Sequence, residues 1–208
     1  MPQKNKQKII IFDLDGVLIN SKKNMEISWN KTKEKFKLKI KFKEYFKYVG
    51  KPFNEILYSL SIRDNLKKIE NNFQLESKKN FKKIKLYKGV LQTISFLKKK
   101  NIKVGILTSK DRKRTLSFIK KLKIKVDFVQ CPQHPFRGKP YPDLFNKIIK
   151  EKNLKKSNCF YVGDTKYDSI AAKEAKIKFI FASYGYRIGI DNSKFEIKNI
   201  LQIKNFIK

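Results

Sequence analysis

Residues 8–18 read KIIIFDLDGVL, and residues 158–169 read NCFYVGDTKYDS. Each is a short apolar run, rich in β-forming residues, that breaks onto an aspartate-bearing turn. The runs are continuous rather than alternating, which is the pattern of a strand buried on both faces of a parallel sheet. Three more share it: 102–108 (IKVGILT), 126–130 (VDFVQ) and 177–182 (IKFIFA). Helical patterns lie between them. Residues 89–100 set Val90, Leu91, Ile94, Phe96 and Leu97 near helical spacing, and residues 111–122 set Leu116, Ile119 and Leu122 on one face. Residues 142–152 and 166–176 continue the series. Strand and helix alternate from residue 89 onward, so an α/β fold is expected, with a Rossmann-like parallel sheet core flanked by helices.

Residues 20–83 break that rhythm. They hold no convincing strand but carry amphipathic segments at 24–36, 43–48, 53–61 and 64–82. A parallel crossover takes a dozen or so residues, so a stretch this long predicts an inserted all-helical subdomain over 20–83. Residues 1–19 and 84–208 then form the α/β core.

Composition narrows the function class. The chain has 208 residues, 40% hydrophobic and 13% aromatic, enough for a sizeable core and against wholesale disorder. No apolar run approaches the ~18–20 residues of a membrane span, so no membrane partner is expected. The basic start MPQKNKQK precedes only a short apolar run without a small-residue cleavage site, so no secretory signal is expected. Two cysteines, Cys131 and Cys159, are too few for a disulfide framework and point to a reducing cytoplasm. The segment CPQHP, with Cys131 and His134, holds too few ligands for zinc.

The formal net charge is +33, from 51 Lys+Arg and 18 Asp+Glu. Only five of the basic residues are arginines, and the 46 lysines are spread along the whole chain. A surface built to read nucleic acid uses clustered arginine more often. Compositional drift is therefore the favoured reading, with non-specific polyanion binding and attraction of small anions as consequences. No specific nucleic-acid partner is expected. Oligomeric state is not readable from the sequence.

Acidic residues are scarce enough for their positions to matter. Of nine aspartates, four fall in the two opening segments: Asp13 and Asp15, Asp164 and Asp168. Ligands of open α/β sheets bind beyond the carboxyl ends of the strands. Those ends carry Asp13 and Asp15, Thr108 and Ser109, Lys139 in the loop after the third core strand, and Asp164 and Asp168. Carboxylates crowded at one edge repel one another unless a cation sits among them. Hard oxygen ligands suit Mg²⁺, which also binds substrate phosphate. A lysine and a hydroxyl beside it complete a site for a phosphoryl group. Taken singly, none of these residues decides the matter, because an aspartate after a strand is also a common helix cap.

The ordered segments DLDGVL, LTS, GKPYPD and VGDTKYD resemble the four motifs of the haloacid dehalogenase superfamily. LYKGV, ILTSK and FASYGY are similar to its phosphoglycolate phosphatase and β-phosphoglucomutase-like branch, whose helical C1 cap is inserted after the first motif. The resemblance implies that Asp13 is the nucleophile that becomes an aspartyl-phosphate, and that Asp15 is the general acid/base. It further implies that Thr108 binds a phosphoryl oxygen and that Lys139 offsets charge shared by nucleophile and phosphate. Mg²⁺ would be held by Asp13, Asp164 and the Asp15 backbone carbonyl, with Asp168 holding a metal-bound water. Ser109, Gly16 and Lys51 (in YVGKPF, 48–53) are the implied substrate-side residues. The family's dehalogenases lack an acid/base at the position of Asp15, so phosphoryl transfer is expected over carbon–halogen cleavage. The implied activity is a Mg²⁺-dependent phosphatase of a small phosphorylated metabolite. A phosphomutase, or a nucleic-acid-binding protein on an inert core, are the alternatives.

Overall fold

The structure is a computed structural model that describes residues 7–207. The basic start noted above therefore lies largely outside the described residues. Six strands form one sheet in the order β5-β4-β1-β6-β7-β8, all neighbours parallel. They are β1 (Ile9–Phe12), β4 (Lys103–Leu107), β5 (Phe128–Gln130), β6 (Cys159–Gly163), β7 (Lys178–Ala182) and β8 (Glu196–Ile197). A separate antiparallel pair, β2 (Ile19–Asn20) and β3 (Lys85–Leu86), brings 19–20 beside 85–86.

The continuous apolar runs are explained by the packing. In β1, Ile10 and Phe12 enter one hydrophobic cluster and Ile9 and Ile11 the other. Val104 and Ile106 join the first cluster with Val162, and Cys159 and Tyr161 join the second. Every position of β1 is buried because helices cover both faces. Those helices are α5 (Val90–Lys99), α6 (Arg112–Lys121), α7 (Asp143–Glu151) and α8 (Lys166–Glu174). Three of the helix positions named above face outward. Leu91 and Phe96 of α5 are 45% and 37% exposed, and Leu116 of α6 is 42% exposed. The inward positions are Val90, Ile94 and Leu97 of α5, with Thr115 and Phe118 of α6, because the buried stripe runs along the adjoining face.

Between β2 and β3 lie α1 (Lys22–Lys35), α2 (Phe42–Phe46), α3 (Phe53–Ser59) and α4 (Leu66–Lys79). They share a third hydrophobic cluster of their own. Trp29 is fully buried there, stacked on Tyr45 with ring centroids 4.5 Å apart, and Phe53 packs on Phe73 at 4.7 Å. Polar groups buried between α1 and α4 are paired: Asn24 Nδ2 donates to the Ser77 carbonyl at 2.9 Å, and Ser77 Oγ donates to Asn24 Oδ1 at 2.7 Å. No helix among the described residues is long and apolar enough to cross a membrane.

The chain runs from β1 to one flank (β4, β5) and later to the other (β6, β7, β8). Strand order therefore reverses at β1, and a crevice opens beyond the carboxyl ends of β4, β1 and β6.

Candidate active site

Asp13 follows β1 directly, and its N–H donates to the Val162 carbonyl of β6 at 2.9 Å. Asp164 follows β6 in the same way, and Thr108 follows β4. Lys139 reaches the same point from the loop between β5 and α7. Its side chain is 1% exposed, and its ammonium group lies 2.9 Å from Asp13 Oδ1, contacts Asp168 Oδ1, and is 3.0 Å from the Tyr161 hydroxyl. The aspartates and lysine singled out from the sequence thus converge beyond three adjacent strands.

Asp168 has its oxygens fully engaged. Oδ1 meets Lys139 and accepts from the Tyr161 hydroxyl at 2.7 Å. Oδ2 accepts from Thr165 N at 3.0 Å and Thr165 Oγ1 at 2.6 Å, closing a capping box at the start of α8. Asp164 is different. Its Oδ2 accepts the Tyr186 N–H at 2.6 Å, while its buried Oδ1 has no hydrogen-bond partner. Asp13 Oδ1 also lacks a hydrogen bond of good geometry despite its nearby lysine. One oxygen from each of Asp13, Asp164 and Asp168 lies within 4.8 Å of the others.

Electrostatics follow from this crowding. Burial pushes the Asp13 carboxyl up to about 7, with Asp168 adding to the rise and Lys139 opposing it. Asp164 is raised well above the usual carboxylate range by burial, then by Asp168 and Asp13. Burial would also raise Asp168, but Lys139 and hydrogen bonds from Thr165 and Tyr161 hold it below its ordinary value. Burial would lower Lys139, yet the charges of Asp13 and Asp168 carry it above the ordinary lysine range. A buried carboxylate oxygen without a donor is unfavourable, and a divalent cation between Asp13 and Asp164 removes that penalty. The residues therefore fit a hard divalent ion held by oxygen.

Asp15 lies beside this cluster but outside it. Its Oδ2 is 3.0 Å from the Lys110 ammonium group, and its Oδ1 accepts from the Ser21 hydroxyl. Lys110 is pushed down from its ordinary pKa by burial and by Arg114, against the pull of Asp15. Thr108 and Ser109 are both buried; Ser109 Oγ accepts the Lys139 N–H at 3.2 Å, and Thr108 Oγ1 accepts the Lys110 N–H at 3.3 Å. Gly16, expected on the substrate side, is a backbone position that shapes the site. It has φ +89°, and a Cβ there would fall 2.0 Å from Asp164 Oδ2.

A cleft of about 190 Å³ opens over these groups. Asp13, Asp15, Ser109 and Lys139 line its floor, and Lys51, Asn54 and Glu70 line it from the helical insertion, with Arg114 at the side. Lys51 Nζ donates to Ser59 Oγ at 3.1 Å and faces the rings of Tyr48 and Tyr167. Four residues went unnoticed in the sequence: Tyr161, Ser21, Lys110 and Tyr186. A phenol inside the otherwise apolar β6 was a readable signal for Tyr161, and the K of ILTSK for Lys110. Tyr186 closes the FASYGY segment quoted above, and Ser21 gave no signal.

The family model for haloacid dehalogenase-like hydrolases matches residues 10–182. The chain is 26% identical to a glyceraldehyde 3-phosphate phosphatase of Pyrococcus furiosus, with 88% of this chain and 84% of that protein covered. It is 25% identical to the pyrophosphatase PpaX of Halalkalibacterium halodurans, with 86% and 84% covered. Its fold matches that of a hydrolase from Pseudomonas syringae with a TM-score of 0.84 at 22% identity, covering 97% and 98% of the two chains. With the model spanning most of its length and the ordered motifs meeting in one crevice, the chain belongs to the haloacid dehalogenase-like hydrolases.

Proposed function

We propose that the protein is a Mg²⁺-dependent phosphatase of a small phosphorylated metabolite, working through an aspartyl-phosphate on Asp13, with 20–83 as a cap domain. The observation that carries this is the buried cluster of Asp13, Asp164 and Asp168 around Lys139, beneath a cleft that Asp15 also lines. The relatives' names point the same way, since both denote enzymes that act on small phosphorylated compounds. A cleft of about 190 Å³ suits such a substrate, being smaller than the ~300–1,000 Å³ of drug-sized pockets.

Asp13 and Asp164, each with a buried oxygen short of donors, would hold Mg²⁺ together with the Asp15 carbonyl. When bound, Mg²⁺ would keep Asp13 ionised and neutralise charge on the phosphoryl oxygens. Asp13 attacks phosphorus, the bond from phosphorus to the ester oxygen breaks, and Asp15 gives its proton to the departing alkoxide. Asp15 then takes a proton from water as that water attacks phosphorus, and the bond from phosphorus to Asp13 breaks, releasing inorganic phosphate. Lys139 offsets negative charge on Asp13 and the transferring group, and Thr108 donates to a phosphoryl oxygen. Asp168 orients Lys139 and caps α8. Lys51 from the helical insertion and Ser109 from the floor of the cleft face the substrate.

The test is phosphate release from a panel of phosphate esters and pyrophosphate with Mg²⁺. Asp13→Asn should abolish turnover and leave the fold intact. An unchanged rate in that variant refutes the nucleophile assignment, and isomerisation of a sugar phosphate without free phosphate refutes the hydrolytic outcome.

A further inference from the structure

We propose that Tyr186 is a positioning residue whose phenol holds the acid/base Asp15 through Ser21, while its backbone orients Asp164. The proposal rests on the phosphatase reading given above. Tyr186 lies in the loop after β7. Its N–H donates to Asp164 Oδ2 at 2.6 Å. Its phenol oxygen accepts the Ser21 N–H at 2.9 Å and lies 3.0 Å from Ser21 Oγ. Its ring packs against Phe46 of α2 with centroids 5.2 Å apart. One residue therefore touches the crevice, the entry to the helical insertion, and the insertion itself.

The direction of the hydrogen bonds is decided by counting protons. The Ser21 hydroxyl donates to Asp15 Oδ1. That uses Ser21's only hydroxyl proton. The remaining contact between the two hydroxyls must then run from the Tyr186 O–H to Ser21 Oγ. The result is a directed chain, Tyr186 to Ser21 to Asp15, in which each hydroxyl both donates and accepts. Ser21 immediately precedes α1, so the chain is anchored where the core gives way to the insertion.

The same loop grips this segment at a second point, because the Tyr184 hydroxyl donates to the Val17 carbonyl at 3.0 Å. The approach depends on Gly185, where a Cβ would fall 2.4 Å from the Gly16 carbonyl oxygen. Removing the Tyr186 hydroxyl leaves Ser21 N–H without its acceptor and Ser21 Oγ without its donor. Asp15 then loses a restraint on the proton it must deliver.

Tyr186→Phe keeps the ring against Phe46 and removes only that hydroxyl. A leaving group that needs a proton should suffer from the loss, and one that departs readily as an anion should not. We expect kcat/KM, which reports departure of the leaving group and not the later attack of water, to fall on the order of tenfold for an alkyl phosphate, within the reach of acid–base catalysis. With p-nitrophenyl phosphate it should fall less than about twofold. Hydrogen exchange at the Ser21 amide should speed up in the same variant, a readout independent of turnover. Equal losses on the two substrates would reduce Tyr186 to a structural residue and overturn the proposal. Unchanged exchange at Ser21 would overturn it whatever the rates. A parent protein inactive on every phosphate ester is a separate result: it removes the phosphatase reading and this proposal with it.

Discussion

Replacing Lys139 with methionine deletes the one ammonium group placed between Asp13 and Asp168 while keeping most of the side-chain volume. Lys139 is 1% exposed and its two carboxylate partners are 4% and 0% exposed, so water cannot take its place. Removing one partner of a buried ion pair typically costs ~3–5 kcal/mol, because the other charge is left uncompensated. For a chain of this length each kcal/mol moves Tm by ~2–4 °C, so a fall of about 6–20 °C is expected in EDTA at pH 8. The loss should depend on pH in a defined sense. Without the ammonium group, Asp13 and Asp168 have folded-state pKa values above their unfolded value of ~3.9. Below that value both states are protonated and the penalty vanishes; it grows as pH rises towards the folded-state values. The gap in Tm between parent and variant should therefore widen from pH 4.5 to pH 8, and Mg²⁺ should narrow it again. Thermal melts followed by circular dichroism at several pH values, with and without Mg²⁺, test this. A gap that is constant with pH, or that Mg²⁺ leaves untouched, refutes the idea that Lys139 balances ionised carboxylates.

Other consequences can be measured with the same equipment. Asp13 is raised to about 7 and Asp164 well above the usual range in the metal-free site, so protons compete with the cation. Saturation to 100 Kd stabilises by ~2.7 kcal/mol, so Mg²⁺ should raise Tm by about 5–11 °C at pH 8. The shift should be clearly smaller at pH 6, and an equal shift there would contradict the raised carboxyls. Gly185→Ala would put a Cβ 2.5 Å from Asp164 Cβ and 2.4 Å from a carbonyl oxygen. Overpacking of this kind costs ~1–3 kcal/mol, and the variant should also lose most of its Mg²⁺-dependent shift, which isothermal titration would confirm as weakened binding.

Legibility in the sequence followed the range of the interactions. The five apolar runs became β1, β4, β5, β6 and β7 within a few residues of their expected ends, because burial on both faces keeps their central positions apolar and leaves polar residues such as Lys103 and Lys178 to the strand ends. β8 escaped notice: two residues, Glu196 and Ile197, at the sheet edge carry no periodic signal. Leu91, Phe96 and Leu116 fit helical spacing yet face outward, because helix rotation is set by neighbours that spacing does not describe. The aspartates and Lys139 were legible because each sits in one of three short motifs at strand ends. Ser21 and Tyr186 were not, because their meaning lies in one contact spanning 165 positions. Asp168 was legible as part of the site, but its double duty as capping partner and lysine acceptor needed coordinates.

The central claim is that Asp13 carries the phosphoryl group between substrate and water. Quenching the enzyme during turnover and treating it with borohydride reduces an acyl phosphate to the alcohol, converting that aspartate to homoserine. Peptide mass spectrometry should find homoserine at position 13 only, and only when substrate and Mg²⁺ are both present. Homoserine at another aspartate, or steady turnover with no acyl phosphate at Asp13, would contradict the account.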